Sequence, residues 1–452
     1  MPVNSFSDHP LSWTPPLDAV KARPVYLALA AALEEDIASG KLPAGTKLPP
    51  QRELADFLDL DFTTVTRAYD LCRSKGLIHG VTGRGTFVSS ATRDNTVEDV
   101  VDCAVVQGFP EAGAAEIAAA ARAVLSRASA ERLFSYHDRD GSPSALAAGV
   151  KWLEMCGADT IPDRTAVFPG AQGAISSVLL SLFHPGDAIA VDGFTYANFI
   201  SLARLAHLKL IAVPSDENGM IPLALSEAAD KKKVKGVFLM PRDANPTGIT
   251  LSEKRKNEIA NTVLAKNLLL IEDDARLLPP LRGEKTLFAR APEQTVYIAG
   301  STRNIAPGLR ATFMAFPGHC TGRILNALHH LTIKAGALDT EILAELILSG
   351  RAMRILKAKA KKAFAANKLF DEIFPSAPKA SPTALFRVLP LPGTSGRGQE
   401  TEAAYRAAGV DVCHSDRFSV KPGQPDSFLR VSLSSATSQS RLRRGLKVLA
   451  KV

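Results

Sequence analysis

Near the N-terminus, apolar residues recur with a helical period. Tyr26, Leu29, Leu33 and Ile37 share one face of a stretch that Pro24 opens and Ser39–Gly40 closes, which predicts a helix. Leu42–Pro43–Ala44–Gly45 is a turn, and Pro49–Pro50 precedes a short helix over Gln51–Leu58. A third helix runs from Thr63 to about Ser74, with Val65, Ala68, Tyr69 and Cys72 on its buried side. Gly76–Leu77–Ile78 then leads into Val81–Val88, where Gly83 and Gly85 around Arg84, between β-branched and aromatic flanks, predict a hairpin. Helix, helix–turn–helix and ribbon in this order predict a winged helix.

Ser89 to about Asp99 is polar and reads as a linker. Beyond it the texture changes. Helical stretches (Ala114–Leu125, Ser144–Met155, Gly173–Phe183, Ser252–Ala265) alternate with short apolar runs at Ala188–Val191, Leu210–Val213, Val237–Met240, Leu268–Ile271 and Val296–Ala299. Such alternation predicts a mostly parallel sheet covered on both faces. From about Gly318 a long helical segment carries Lys357, Lys359, Lys361 and Lys362, which read as a solvated face. It leads to a smaller α+β tail near Phe386–Leu389 and Phe428–Ser432. The expected division is a leader over 1–20, a winged helix–turn–helix over 21–90, a linker over 91–105, and one large unit over 106–452. That unit divides into a large part (about 106–320) and a small C-terminal part (about 321–452).

Composition narrows the function classes. With 452 residues, 46% hydrophobic and 22% charged, the chain can bury sizeable cores, which argues against disorder or a fibrous repeat. The five cysteines (Cys72, Cys103, Cys156, Cys320, Cys413) show no CxxC spacing, so no disulfide framework and no metal site are expected, and a reducing cytoplasm is the simpler home. No secretory signal and no apolar run of membrane-spanning length are visible. The net charge of +8 does not by itself point to nucleic acid, because residues 1–90 hold nine Lys/Arg against ten Asp/Glu. A case for DNA has to rest on where particular residues sit.

Those positions are favourable. Thr63, Thr64, Thr66 and Arg67 occupy the first turns of the third helix, where backbone N–H groups can meet phosphate and short side chains can meet base edges in a major groove. Arg52 on the preceding helix and Arg84 at the wing tip suit phosphate and a neighbouring groove. The segments Leu48–Pro49–Pro50–Gln51–Arg52–Glu53–Leu54–Ala55, Thr64–Val65–Thr66–Arg67–Ala68–Tyr69 and Gly83–Arg84–Gly85–Thr86–Phe87–Val88 resemble the DNA-binding domain of the GntR family of bacterial regulators. Pro50 departs from the Ser usual there, changing a helix cap and removing no base-reading group.

In the second unit, Phe168–Pro169–Gly170–Ala171–Gln172–Gly173–Ala174 opens a helix with small residues that let amides approach an anion. Asn245–Pro246–Thr247–Gly248 follows a strand and reads as a turn. Glu272–Asp273–Asp274 ends another strand, where carboxylates serve a helix cap or a ligand equally well. Gly300–Ser301–Thr302–Arg303 precedes Ala306–Pro307–Gly308–Leu309–Arg310. In this order the four segments resemble the fold type I aminotransferase domain that uses pyridoxal phosphate. Joined to a winged helix, the chain resembles the MocR subfamily of GntR-type regulators over nearly its whole length. The fold class implied is an N-terminal winged helix plus an α/β aminotransferase-like domain with a smaller α+β C-terminal part. The resemblance places Ala171, Gln172 and Thr302 at the cofactor, with Arg310 on its phosphate and Tyr196 in the active site. It places Asn245 on the ring hydroxyl, Asp273 on the pyridine nitrogen and Arg430 on a substrate carboxylate.

Two departures bear on chemistry. The family's Schiff-base lysine stands seven positions before the final arginine, and counting back from Arg310 lands on Arg303. A guanidinium stays protonated and spreads its charge over three nitrogens, so it neither condenses with an aldehyde nor shuttles a proton. A Tyr that follows the Asp in the family is Ala275 here. The expectation is a cytoplasmic, dimeric, operator-binding transcription regulator without transaminase activity. Its second domain senses a small molecule: an amino acid, another small anion, or pyridoxal phosphate held non-covalently. An empty dimerising scaffold is the bland version of this reading. The rival is a pyridoxal phosphate-dependent aminotransferase-like enzyme.

Overall fold

A computed structural model of the chain describes residues 11–16, 24–81, 83–89, 100–127, 130–136, 140–274, 284–300, 304–421, 423 and 426–451. The contacts divide it into two units, Met1–Asp99 and Val100–Val452. In the first, helices α1 (Val25–Ala38), α2 (Gln51–Leu58) and α3 (Phe62–Ser74) precede an antiparallel hairpin of β1 (Ile78–Val81) and β2 (Gly85–Val88), paired Ile78 to Val88 and Val81 to Gly85. Pro24 and Pro50 stand at the N-caps of α1 and α2, where a missing N–H costs nothing. Helix α3 starts one residue before the expected Thr63, because Asp61 is its cap and accepts from the Thr63 amide at 2.7 Å. The core gathers Leu29, Leu33, Leu48, Leu54, Val65, Tyr69, Cys72, Ile78 and Val88.

Trp13, within the expected leader, belongs to this core as well. It is 5% exposed, and its indole N–H donates to the Asp36 carboxylate at 2.8 Å. Lys41 pairs with the same carboxylate at 3.1 Å. Burial pushes the Asp36 carboxyl up, but the hydrogen bonds from Trp13 and Lys41 outweigh it and hold the group below its ordinary value.

In the second unit a seven-stranded sheet forms from β3 (Thr165–Phe168), β4 (Ala188–Asp192), β5 (Lys209–Val213), β6 (Val234–Leu239), β7 (Leu269–Asp274), β8 (Thr295–Ala299) and β9 (Thr312–Ala315), in the order β3-β9-β8-β7-β6-β4-β5. Only β9 runs against the others; it pairs antiparallel with both β8 and β3. The five apolar runs read from the pattern are β4 to β8, while β9 directly follows the Pro307–Arg310 turn and is not read as a strand. Successive strand residues enter different cores. Val296 and Ile298 join one with Ile271, and Tyr297 and Ala299 another, so both faces are covered. The C-terminal part follows the helices Thr321–Thr332, Ala337–Leu348 and Arg351–Ile373, and carries a three-stranded sheet of Phe386–Pro390, Phe428–Ser432 and Cys413–His414.

One residue of the expected basic face behaves otherwise. Lys359 is fully buried, although Lys357, Lys361 and Lys362 are exposed. Desolvation lowers its amine to about 8, with the Glu111 carboxylate opposing that shift. At 100° per residue, Lys359 falls on the same stripe of the helix as the buried residues Ile355, Ala363 and Ala366, which faces inward.

The Trp13–Asp36–Lys41 cluster yields a test. Trp13→Phe keeps an aromatic ring in place but leaves the Asp36 carboxylate with Lys41 as its remaining side-chain partner, and should cost the first unit about 1–3 kcal/mol in thermal or urea melts of the full chain. Because the folded Asp36 pKa is depressed, its contribution is complete above the unfolded value near 3.8 and disappears as pH falls through the folded value. Melts of wild type and Trp13→Phe should therefore converge under strongly acidic conditions.

Candidate functional site

In the first unit, Arg52, Thr63, Arg67 and Arg84 are exposed, and Thr64 and Thr66 are half-buried. Two of the threonines have internal tasks. The Thr63 hydroxyl donates to Asp61 at 2.5 Å within the helix cap, and the Thr66 hydroxyl donates to Gln51 Oε1 at 3.0 Å, tying α3 to α2. The Tyr69 hydroxyl donates to the Pro49 carbonyl at 2.9 Å and fixes the entry of α2. Arg67 lies over the Tyr26 ring at 5.6 Å, and Arg52 over Phe62 at the same distance, so both guanidinium groups are partly pre-ordered. Arg84 occupies the hairpin tip between Gly83 and Gly85, whose positive φ values of 75° and 118° suit glycine.

In the second unit the relevant residues lie beyond the C-terminal ends of the parallel strands, where open α/β sheets place ligands. Strand β3 ends at Phe168, and the helix Gly170–Leu182 begins two residues on. Gly170 has φ +76°, and a Cβ there would stand 2.7 Å from Arg310 Nη2. Only a glycine lets the guanidinium lie against this helix start, next to the first-turn residues Ala171 and Gln172. Helix amides and an arginine thus converge on one place, the arrangement an anionic group requires.

The three acids at the end of β7 separate by strand alternation. Glu272 accepts from the amides of Leu287 (3.1 Å) and Phe288 (2.7 Å), and burial raises its carboxyl. Asp274 is ion-paired with buried Arg242 and accepts from the Tyr297 hydroxyl at 2.6 Å. Both are structural. Asp273, 4% exposed, alternates to the other face of the strand.

Asn245 and Arg430 meet directly. Arg430 Nη1 donates to Asn245 Oδ1 at 3.0 Å, while Nη2 donates to the Ala104 carbonyl and lies 3.3 Å from Cys413 Sγ. The guanidinium sits 4.9 Å from the Phe418 ring centroid. These residues, with Tyr196, line a cleft of about 800 Å3 whose rim carries Glu402 paired with Arg417. Burial raises the Cys413 thiol, and the nearby Arg430 charge opposes the shift. Tyr196 caps the helix Ala197–Leu205, and its hydroxyl accepts from Asn198 at 3.1 Å.

The structure therefore brings Tyr196, Asn245 and Arg430 to one cleft, and Ala171, Gln172 and Arg310 to one helix start. Thr302, Arg303 and Ala275 lie outside the described residues. Ala104, Cys413 and Phe418 escaped sequence reasoning because each meets the site only through tertiary packing. Arg242 likewise carried no local signal. Among the described residues no group of three or more His, Cys, Asp or Glu could hold a metal ion, and no helix is long and apolar enough to cross a membrane.

Comparisons with known proteins agree with both halves. Residues 25–88 match the bacterial regulatory proteins of the gntR family, and residues 107–275 match the aminotransferase class I and II family. The chain is 33% identical to the HTH-type transcriptional regulator YdeF of Bacillus subtilis, over all of this chain and 99% of that one. It is 26% identical to the vitamin B6 salvage pathway transcriptional repressor PtsJ of Salmonella typhimurium, over 63% of this chain and 65% of that one. The probable rhizopine catabolism regulatory protein MocR of Rhizobium meliloti is 23% identical, over 76% of this chain and 77% of that one. Among solved structures, an archaeal alanine:glyoxylate aminotransferase superposes with a TM-score of 0.72 at 21% identity, covering 78% of this chain and 90% of that one. The α-aminoadipate aminotransferase LysN of Thermus thermophilus gives 0.70 at 21% identity, covering 84% and 96%. The chain belongs to the MocR subfamily of GntR-type transcriptional regulators, in which a winged helix–turn–helix is joined to a domain of the fold type I aminotransferase class.

Proposed function

We propose that this transcription regulator is a homodimer that reads a paired operator with its winged helices and senses a small molecule in its aminotransferase-like domain, without catalysing transamination. The observation that carries the reading is an anion-ready pocket without the family's amine. Gly170 leaves room for Arg310 at a helix start, and Asn245 meets Arg430, yet position 303 is arginine. The cradle fits the phosphate of pyridoxal phosphate. Asp273 suits a protonated ring nitrogen, Asn245 a ring hydroxyl and Tyr196 the cleft wall, while Thr302 precedes Arg310 by eight positions in sequence. When bound in an enzyme of this fold, the cofactor supplies an electron sink for amino-acid chemistry. Here the residues bind and orient. Arg430 offers a planar fork for a carboxylate, with the Phe418 and Phe386 ring centroids 4.9 and 5.9 Å from its central carbon. PtsJ is by name a repressor of vitamin B6 salvage, which makes a B6 compound a fitting effector for this chain too.

Dimerisation rests on an exposed apolar group. Phe134 is 72% and Tyr136 75% exposed, and Lys334, next to the exposed Ile333, donates to the Ser135 carbonyl between them. Patches of this kind mark association surfaces. Reader helices that address two half-sites need a two-fold partner. Ligand binding that closes the second domain would alter half-site spacing, and so operator affinity.

Sedimentation should show a dimer at micromolar concentration; a monomer with full operator affinity would refute that part. Arg67→Ala should weaken binding to the flanking upstream DNA about tenfold or more while leaving the melting temperature nearly unchanged. An unaltered gel shift would remove α3 as the reader. Incubation with pyridoxal phosphate, borohydride reduction and peptide mapping should yield no pyridoxyl adduct in wild type. Arg303→Lys should create one at that position, with a yellow absorbance. A single-site adduct on another pocket lysine of the wild type would restore the enzyme reading.

A further inference from the structure

A second cavity, of about 640 Å3, stands over the C-terminal ends of β6, β4 and β5, and among the described residues it shares no lining residue with the Arg430 cleft. It belongs to the other face of the sheet. Strand alternation puts Asp192 on the side of Ala188 and Ala190, which share a core with Leu239 and Val213. Asp273 lies on the side of Ile271, which belongs to the opposite core. The exposed residues Phe134, Tyr136 and Ile333 take no part in this cavity.

The cavity joins apolar walls to charge of one sign. Phe194, Leu239, Met240, Ile249 and Phe428 supply the walls, and Phe194 meets Phe428 edge to face with ring centroids 5.1 Å apart. Gly219 shapes the floor: it has φ +90°, and a Cβ there would collide with the Leu251 side chain. Asp192, Asp216, Glu217 and Asp426 line the cavity against a single cation, Lys421. Asp216 is already matched, by Arg255 at 2.8 Å. Asp192 is not. It is half-buried at the end of β4 and accepts from the Ser215 hydroxyl at 2.7 Å, and among the described residues no Lys, Arg or His pairs with it. Burial pushes its carboxyl up to about 6, and the Ser215 hydrogen bond opposes that shift. At neutral pH the group is still mostly ionised, and a carboxylate set into an apolar wall without a cation beside it is costly. A metal ion does not meet this need. Among the described residues no three acid, His or Cys side chains could hold one, and the apolar walls fit an organic body.

We infer that this cavity binds an organic amine, whose ammonium group pairs with Asp192 beside Ser215 and whose apolar body lies against Phe194, Met240 and Phe428. The ammonium supplies the cation that Asp192 lacks, and the aromatic rings suit both its charge and its body. The partition from the first cleft is thin. Ala244 and Thr247, on either side of Asn245–Pro246, line this cavity, while Asn245 lines the other. Phe428 lines this one, and Arg430, two residues further along the same strand, lines the other. An amine held here therefore bears on both segments that meet in the Asn245–Arg430 hydrogen bond. The site itself needs nothing from whatever the first cleft holds.

Calorimetric titration of the full-length protein at neutral pH tests this, with benzylamine as the probe and benzyl alcohol as its neutral counterpart, at constant ionic strength set by sodium chloride. Saturable benzylamine binding in the millimolar range or tighter is expected, with benzyl alcohol weaker by about tenfold or more. Asp192→Asn, close to isosteric, should weaken benzylamine by about tenfold or more and leave benzyl alcohol unchanged. Ala212→Leu, which narrows the cavity from β5, should weaken both probes. Should Asp192→Asn fail to fold by circular dichroism, the comparison of the two probes and Ala212→Leu decide. Absence of saturable benzylamine binding, equal binding of the alcohol, or indifference to Asp192→Asn overturns the inference. So does loss of the benzylamine heat in Glu402→Gln, which would place the amine at the rim of the first cleft. Because the readout is amine binding, it stands or falls separately from pyridoxal phosphate occupancy and from operator affinity.

Discussion

In the cleft of the second unit, one buried hydrogen bond ties two distant pieces of chain together. Asn245 follows β6 and Arg430 lies on a strand of the C-terminal sheet, 185 residues later, yet Nη1 reaches Oδ1 at 3.0 Å in a buried setting. Neither group tolerates burial alone, since a guanidinium taken from water needs its donors matched. The Ala104 carbonyl takes a second donor, and the Phe418 ring takes a face of the cation. Three segments are thereby fixed around one charge. Backbone links close by, Thr195 amide to Phe418 carbonyl and Val420 amide to Gly193 carbonyl, secure the same seam. A ligand carboxylate entering this cleft competes with an amide oxygen for the arginine. On the proposed reading, ligand binding would therefore act on the seam between these segments.

Much of the architecture was legible beforehand, for identifiable reasons. Pro24 and Pro50 announce helix starts because only a first turn accepts a residue without an N–H. Gln51–Leu58 appears in the fold with the same ends that the sequence suggests. The strands β4 to β8 were readable because strands covered on both faces are apolar throughout. Strand β9 was not. Its four residues owe their conformation to partners 144 to 150 positions earlier on β3, which no local pattern encodes. Lys359 shows the same limit. Charge patterning places lysines outside, and only the helix's rotation against the Glu111 segment turns this one in.

The site divides along the same line. Residues that act through their own backbone, such as Gly170 at its positive φ or Gly83 and Gly85 in the wing, are visible because glycine alone fits them. Residues that act through a neighbour are not. The hydroxyls of Thr63 and Thr66 looked available for DNA, yet each has an internal acceptor that stiffens the reader. Glu272 and Asp274 looked equivalent to Asp273, until strand alternation gave them separate partners.

On the proposed reading, what would distinguish a sensor from an enzyme on this scaffold is reversibility, with Arg303 at the position of the family's lysine as the deciding residue. An amine with a tunable proton can form and break a covalent bond with an aldehyde, so an enzyme uses part of its binding energy to drive chemistry. A guanidinium offers only charge and hydrogen bonds, which release the ligand unchanged. Occupancy then follows free ligand concentration through a single dissociation constant, and the conformational equilibrium follows occupancy. For a regulator this is the useful property. A ligand consumed by its receptor would report the receptor's turnover, whereas a ligand merely held reports its own supply. On the proposed reading, replacing the amine while leaving the phosphate cradle, the Asn245–Arg430 contact and the winged helix in place would turn a catalyst's pocket into a gauge.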